Sequence, residues 1–225
     1  MRKSDGYYVQ FSLNVERREK HEFKNKMLGI DVGLTHFYTD SDSNKVENPR
    51  FLRADERKLK KAQRRVSRKL KGSANRLKAI NRLGRAHLKV ERRRKDFAVK
   101  TARALVQSAD LIAIEDLQVR NMVKNHHLAK SISDVAWRIF RNWVEYFGKI
   151  YSVPVIAVAP HYTTVNCSNC SEQVKKSLST RTHTCSCGHT DCRDRNAAVN
   201  ILRKALHTVG QTEINACGEF DLCSN

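Results

Sequence analysis

The chain has 225 residues, 40% of them apolar, and 43 Lys and Arg against 23 Asp and Glu, a formal charge of +20. That length holds one sizeable domain with a small insertion, or two small domains, and the apolar share suffices for a real core. The charge excludes a neutral or acidic surface and points to a polyanionic partner, nucleic acid first and an anionic membrane second, while no apolar run approaches the ~18–20 residues of a membrane span.

Residues 7–13, YYVQFSL, alternate loosely and predict a strand, and residues 15–26 read as a polar linker. MLGIDVG predicts a buried strand ending at Asp31, HFYTD a hairpin partner for it, and residues 49–52 a third strand. Asp55 to about Lys71 predicts a helix with a narrow stripe of Leu59, Ala62, Val66 and Leu70, broken by Gly72-Ser73. A second helix follows from about Ala74 to Ser108, with Leu77, Ile80, Leu83, His87, Val90, Phe97, Ala102 and Leu105 near one face. Two helices sharing one apolar seam across a short break predict an antiparallel hairpin.

The charge is concentrated there. From Arg53 to Arg103 stand 21 Lys and Arg against Asp55, Glu56, Glu91 and Asp96, a segment charge of +17 that leaves +3 for the remainder. A solvated face usually mixes signs. A face of one sign repels itself at helical spacing and makes sense when phosphates neutralise it. Arg57, Lys61, Arg64, Arg65, Arg68, Arg92 and Arg93 are therefore candidate nucleic-acid contacts.

DLIAIEDL, 110–117, predicts a short apolar strand ending at Glu115, followed by a polar loop with His126 and His127. Residues 133–150 predict an amphipathic helix capped by Ser133, with Val135, Ile139, Trp143 and Phe147 inward. PVIAVA, 154–159, predicts another buried strand. A cysteine-bearing segment and a helix from about Asp194 to His207 come next, and the stretch from Thr208 to Asn225 has little pattern. Buried strands alternating with helices predict an α/β sheet covered on its faces.

Asp31 and Glu115 each end an apolar strand, where the chemistry of α/β sheets sits, and Asp194 opens a helix, where a carboxylate suits the dipole. Each acid alone could be a cap or a salt-bridge partner. Gathered together they would repel unless cations intervened, and Mg²⁺ takes such hard oxygen ligands. Asp116 is a rival to Glu115 that faces the other way if the strand continues. Cys167-x2-Cys170 and Cys185-x-Cys187, 14 residues apart, predict a tetrahedral Zn²⁺ site, because the segment is too polar to fold without a staple. His183, His189 and Cys192 remain alternative ligands, whereas Cys217 and Cys223 look incidental. Seven cysteines argue for metal rather than disulfides in a reducing compartment, and MRKSDGYYVQF lacks the apolar core of a signal peptide.

The blocks GIDVGLTHF, IAIEDLQVRNMVKNHHLAKSISD, APHYTTVNCSNC, RDRNAAVNIL and TVGQTEINACGE, from about residue 5 to 219, resemble the TnpB (OrfB) family of insertion-sequence proteins, relatives of the type V CRISPR effectors. The resemblance implies an RNase H-like (RuvC) α/β fold with a basic helical hairpin insertion and an inserted zinc ribbon. It implies a nuclease with Asp31, Glu115 and Asp194 as a catalytic trio holding Mg²⁺, and Zn²⁺ on Cys167, Cys170, Cys185 and Cys187. A guide RNA from the transposon end would direct the cut in DNA, with the hairpin on the RNA and heteroduplex backbone, in a prokaryotic cytoplasm or nucleoid. The implied layout is a wedge-strand remnant and linker at 1–25, the nuclease at 26–160 and 193–208 with the hairpin at 53–108, the ribbon at 161–192 and a tail at 209–225. Cys192 stands where relatives carry an acid. Relatives are also longer at the N-terminus, so a separately encoded N-terminal part is an expected partner. A nucleic-acid-binding fragment that does not cut, and a transposase that joins DNA ends, are the alternative readings; no membrane partner is expected.

Overall fold

The computed structural model describes residues 2–118, 122, 124, 126–177 and 180–210. A small hairpin, β1 (Arg2–Lys3) and β2 (Gly6–Tyr7), opens the chain. Then come β3 (Met27–Val32), β4 (His36–Asp40), β5 (Lys45–Glu47), α1 (Phe51–Ser67), α2 (Ala74–Gln107) and β6 (Leu111–Glu115). They are followed by α3 (His126–Val135), α4 (Trp137–Tyr151), β7 (Val155–Val158), β8 (Thr182–Thr184), β9 (Thr190–Cys192) and α5 (Arg193–Thr208). The central sheet runs β5-β4-β3-β6-β7, with antiparallel pairing of β3 to β4 and β4 to β5, and parallel pairing of β3 to β6 and β6 to β7.

Strand alternation divides the core into two layers. Leu28, Ile30, Ile112 and Ile114 point to one face, where Phe140, Val144 and Phe147 of α4 and Ala102 and Leu105 of α2 meet them. Leu111, Ala113 and Val158 point to the other, against Ile201, Leu202, Ala205 and Leu206 of α5. Gly29 sits where α5 crosses β3. A Cβ there would lie 2.0 Å from the Ala198 carbonyl oxygen, so only glycine admits the helix at this depth.

Several expectations need correction. Residues 7–13 do not form a strand: only Gly6–Tyr7 is extended in a ladder, and Tyr7, Val9, Phe11 and Leu13 are exposed, Phe11 at 81%. Beyond Tyr7, which pairs with Arg2, no strand among the described residues runs beside the segment, so no ladder forms along it. Residues 49–52 are not a strand either; β5 lies earlier, and α1 already begins at Phe51. The cause is distant in sequence. The buried carboxylate of Asp134 on α3 accepts the backbone N–H groups of Leu52, at 2.8 Å, and Arg53, capping α1 from outside. Arg94 of α2 donates to the same carboxylate at 3.1 and 2.8 Å, so one acid ties three helices.

The helix expected from Ser133 is two helices. Ala136 adopts a left-handed conformation (φ 59°) between α3 and α4, so Ser133 caps nothing and the loop expected at His126 begins α3. The kink also shifts the inward face to Trp137, Phe140, Val144 and Phe147, leaving Ile139 exposed and Trp143 half-buried. In the hairpin, Leu59, Val66, Val90, Ala102 and Leu105 are buried, but Leu70, Leu77, Ile80 and His87 are exposed, Leu70 at 80%. The far end of the hairpin stands clear of the sheet, and no described element covers it. The expected last helix is α5, and all but the first residues of the tail fall at 211–225, outside the described residues. No helix among the described residues is long and apolar enough to cross a membrane.

Candidate functional site

Asp31 and Glu115 occupy the same rim. Ile30 of β3 pairs with Ile114 of β6 in parallel register, so the next residues, Asp31 and Glu115, are neighbours. Alternation puts both on the α5 side of the sheet, the side of Gly29 and Ala113. The depth of α5 at Gly29 brings its first turn, with Asp194, to that rim. Burial pushes the Asp31 carboxyl well above its ordinary range, and the nearby charges of Glu115 and Asp194 push it further, against Arg193. Burial likewise raises Glu115, opposed by a hydrogen bond from the Thr163 hydroxyl and by the charge of Lys204. Asp194 lies 3.5 Å from Arg193 Nε and 3.8 Å from Arg181 Nη1. The charges of Glu115 and Asp194 thus act on Asp31, and the three carboxylates are candidate oxygen ligands for a hard cation. Asp116 turns to the opposite face and pairs with Arg141.

The four cysteines meet. Cys167, Cys170, Cys185 and Cys187 have all their Sγ atoms within 4.8 Å of one another, and none is in a disulfide. Cys167 to Cys187 is 3.8 Å and Cys170 to Cys185 is 3.5 Å. The edge of a tetrahedron with Zn–S bonds of about 2.3 Å is about 3.8 Å, so the donor set fits Zn²⁺. Backbone turns build both knuckles. Ser171 N–H donates to the Cys167 carbonyl at 2.9 Å, Cys185 N–H to His189 O at 2.9 Å, and Gly188 takes a left-handed φ of 84°. A hydrogen bond from the His189 backbone lowers the Cys187 thiol to about 7, while at Cys170 a hydrogen bond from the Glu172 backbone is outweighed by the neighbouring thiols, which push it up to about 12. Antiparallel β8 and β9 carry the second knuckle at their turn. The alternative ligands stay apart: Cys192 faces Lys45 at 3.9 Å, and His189 bonds to Ser168 at 3.1 Å. His183 is fully buried outside the cluster.

The residues that join ribbon to sheet were not singled out from sequence. Asn196 and Asn200 of α5 are buried. Asn196 accepts from Ser168 N–H at 2.8 Å and donates to Asn166 O at 2.8 Å; Asn200 donates to Thr163 O at 2.9 Å and to Asn166 O at 2.7 Å. Thr163 in turn holds Glu115, so the ribbon's root, α5 and the acidic rim form one polar network. The spacing of the two asparagines, four apart beside apolar neighbours in RDRNAAVNIL, is the signal that could have found them.

Arg57, Lys61, Arg64, Arg65 and Arg68 line one open cleft along α1, of about 820 Å³, and all are exposed. Arg92 and Arg93 are not part of it. Arg92 pairs with Asp5 at 2.7 Å, and Arg93 pairs with the buried Asp55 at 3.0 Å and stands 4.6 Å over Phe51, joining α2 to α1.

The fold and site define a mixed α/β protein with an acidic rim and a four-cysteine ribbon beside it. The chain belongs to the OrfB (TnpB) family: the family described as "Probable transposase" matches residues 10–126, and the "Cas12f1-like, TNB domain" matches residues 137–201. A Streptomyces pristinaespiralis protein named "Putative RNA-guided DNA endonuclease" is 41% identical over 194 residues, covering 85% of this chain and 47% of that protein. An Escherichia coli K12 protein, "Putative RNA-guided DNA endonuclease InsQ", is 33% identical over 231 residues, 95% of this chain and 56% of its own length. The chain thus spans about half the length of the curated relatives it matches. A solved structure titled "Cryo-EM structure of the Cas12f1-sgRNA-target DNA complex" aligns with a TM-score of 0.57 at 18% identity, over 85% of this chain and 52% of that one, a likeness of fold.

Proposed function

We propose that the chain is the Mg²⁺-dependent, RuvC-like DNA endonuclease unit of a TnpB-type protein, built on an RNase H-like sheet. The observation that supports this reading is the meeting of Asp31, Glu115 and Asp194, far apart in sequence, on one face of one sheet rim. When bound there, Mg²⁺ supplies the charge that activates a water and stabilises the leaving oxygen of a phosphodiester. Asp31 and Asp194 hold the cation and Glu115 completes the donor set. The Thr163 hydroxyl orients Glu115, and Arg181 and Arg193 beside Asp194 offer cationic groups to a phosphate. Residues 26–160 and 193–208 form the nuclease, with the hairpin at 53–108. Residues 161–192 form a Zn²⁺ ribbon that holds the strand at the rim, residues 1–25 and 209–225 flank them, and the Arg57 to Arg68 face tracks a nucleic-acid backbone. The relatives' names make a guide RNA and target DNA the proposed partners, with transposon mobility as the setting.

A second reading, binding without cutting, is favoured by the exposed basic face of α1. Labelled single-stranded DNA incubated with the protein and MgCl₂ separates the two. Cleavage by wild type that Asp31→Ala abolishes supports the endonuclease; equal products from both proteins overturn it. Binding without cleavage by wild type selects the second reading.

A further inference from the structure

A cleft of about 430 Å³ opens at the same rim on the opposite face of the sheet, between the end of β6 and the start of α4. Its volume is within the range of about 300–1,000 Å³ typical of small-ligand sites. Val32, Ile114, Trp137 and Phe140 line it together with the charged Glu115, Asp116, Glu145, Arg138 and Arg141. Trp137 is 6% exposed, yet its indole Nε1 has no acceptor among the described residues. A buried indole N–H nearly always has a partner, so an unmet one beside an open cleft calls for an acceptor from outside. The neighbouring charges are unequally used. Arg141 is engaged by Asp116 and Glu145, whereas Arg138 is exposed and has no ion pair among the described residues.

We propose that this cleft seats one unstacked nucleobase of the strand that reaches the acid trio, with Arg138 on the adjoining phosphate. The naming of that strand as the cut strand rests on the endonuclease reading. The chemistry fits a base. Its flat faces match apolar and aromatic walls, and its carbonyl oxygens supply the acceptor Trp137 lacks. The geometry selects an unstacked one. Asp31 and Glu115 lie on the α5 side of the sheet, Val32 and Ile114 on the other, so a strand with its phosphodiester at the trio reaches the cleft only with a base turned out over the rim.

Two tryptophans are present, so Trp143→Phe leaves Trp137 as the sole emitter. The probes are a twelve-nucleotide oligothymidine and an abasic oligomer of equal length, in Mg²⁺-free buffer, with anisotropy reporting binding and indole emission reporting the cleft. Oligothymidine should quench Trp137, and the abasic oligomer should bind the basic helix without quenching. Trp137→Phe should raise the Kd for oligothymidine about fivefold to tenfold, the worth of one hydrogen bond, and leave the abasic Kd unchanged. Arg138→Ala, at an exposed position, should weaken both probes and tests the phosphate contact even if Trp137→Phe folds poorly. Equal quenching by both oligomers, or binding of oligothymidine with no change in emission, overturns the proposal. Asp31→Ala should keep the base-dependent quenching. If wild type quenches in this way but never cleaves, the endonuclease reading fails while the cleft stands.

Discussion

Replacing Gly29 by alanine tests the link between packing and the acid trio. The new Cβ would meet the Ala198 carbonyl oxygen at 2.0 Å and Leu202 Cβ at 2.8 Å, where ordinary contact begins at 3.4 Å. The nearer atom is helix backbone and cannot rotate away, so α5 must retreat from β3 by up to 1.4 Å, the difference between 3.4 and 2.0 Å. Overpacking of this kind costs about 1–3 kcal/mol, which for a chain of this length lowers Tm by about 2–12 °C. The retreat also carries Asp194 away from Asp31 and Glu115, and a displacement of about 1 Å at a reacting centre can cost about 10²-fold in rate. Thermal melting and single-turnover cleavage of labelled DNA measure the two effects. Ile201→Val is the control: it loosens the same interface, at about 0.5–1.5 kcal/mol, without pushing the helix outward. Gly29→Ala should lose far more activity than that control at matched stability. An unchanged Tm with unchanged cleavage would refute the argument that glycine sets the position of Asp194.

Asp31 and Glu115 hold protons more tightly in the folded chain than unfolded, so their contribution is full below about pH 4 and declines as pH rises through their elevated values. In Mg²⁺-free buffer Tm should therefore fall from about pH 4 toward neutrality, and Asp31→Asn and added MgCl₂ should each flatten the fall; a pH-independent Tm contradicts the crowded trio. The purified protein should carry about one zinc per chain, and Cys185→Ser should release it and deprotect residues 161–192 in hydrogen exchange. Metal content unaffected by that change would argue against the ribbon. Replacing Arg57, Lys61, Arg64, Arg65 and Arg68 by alanine should reduce the salt slope of single-stranded DNA binding by about 0.7 for each phosphate that is no longer neutralised. A slope that stays constant would place the backbone-binding face elsewhere.

The periodic features were legible in the chain itself. MLGIDV and LIAIE read as buried strands, the cysteine spacing as a metal knuckle pair, and a +17 segment broken at Gly72-Ser73 as a basic helical hairpin. Each signal is local, written in the residues that form the element. What local pattern cannot carry is the identity of a distant partner. Asp134 starts α1 from 82 residues away, and the left-handed Ala136 re-aims α4 and turns Trp137 and Phe140 inward in place of Ile139. The alternating apolar residues 7–13 have the rhythm of a strand but, beyond Tyr7, no strand among the described residues to pair with.

The site divides in the same way. Sequence alone determined which acids and thiols were available, because strand ends, helix starts and knuckles mark themselves. Only the tertiary structure decided that Asp31 and Glu115 share a face and that α5 lies deep enough to add Asp194. Only it showed that Asn196, Asn200 and Thr163 tie the ribbon to that rim. Proximity between remote residues depends on register and on how closely a helix can approach a sheet, and at Gly29 that distance was set by the absence of a single methyl group.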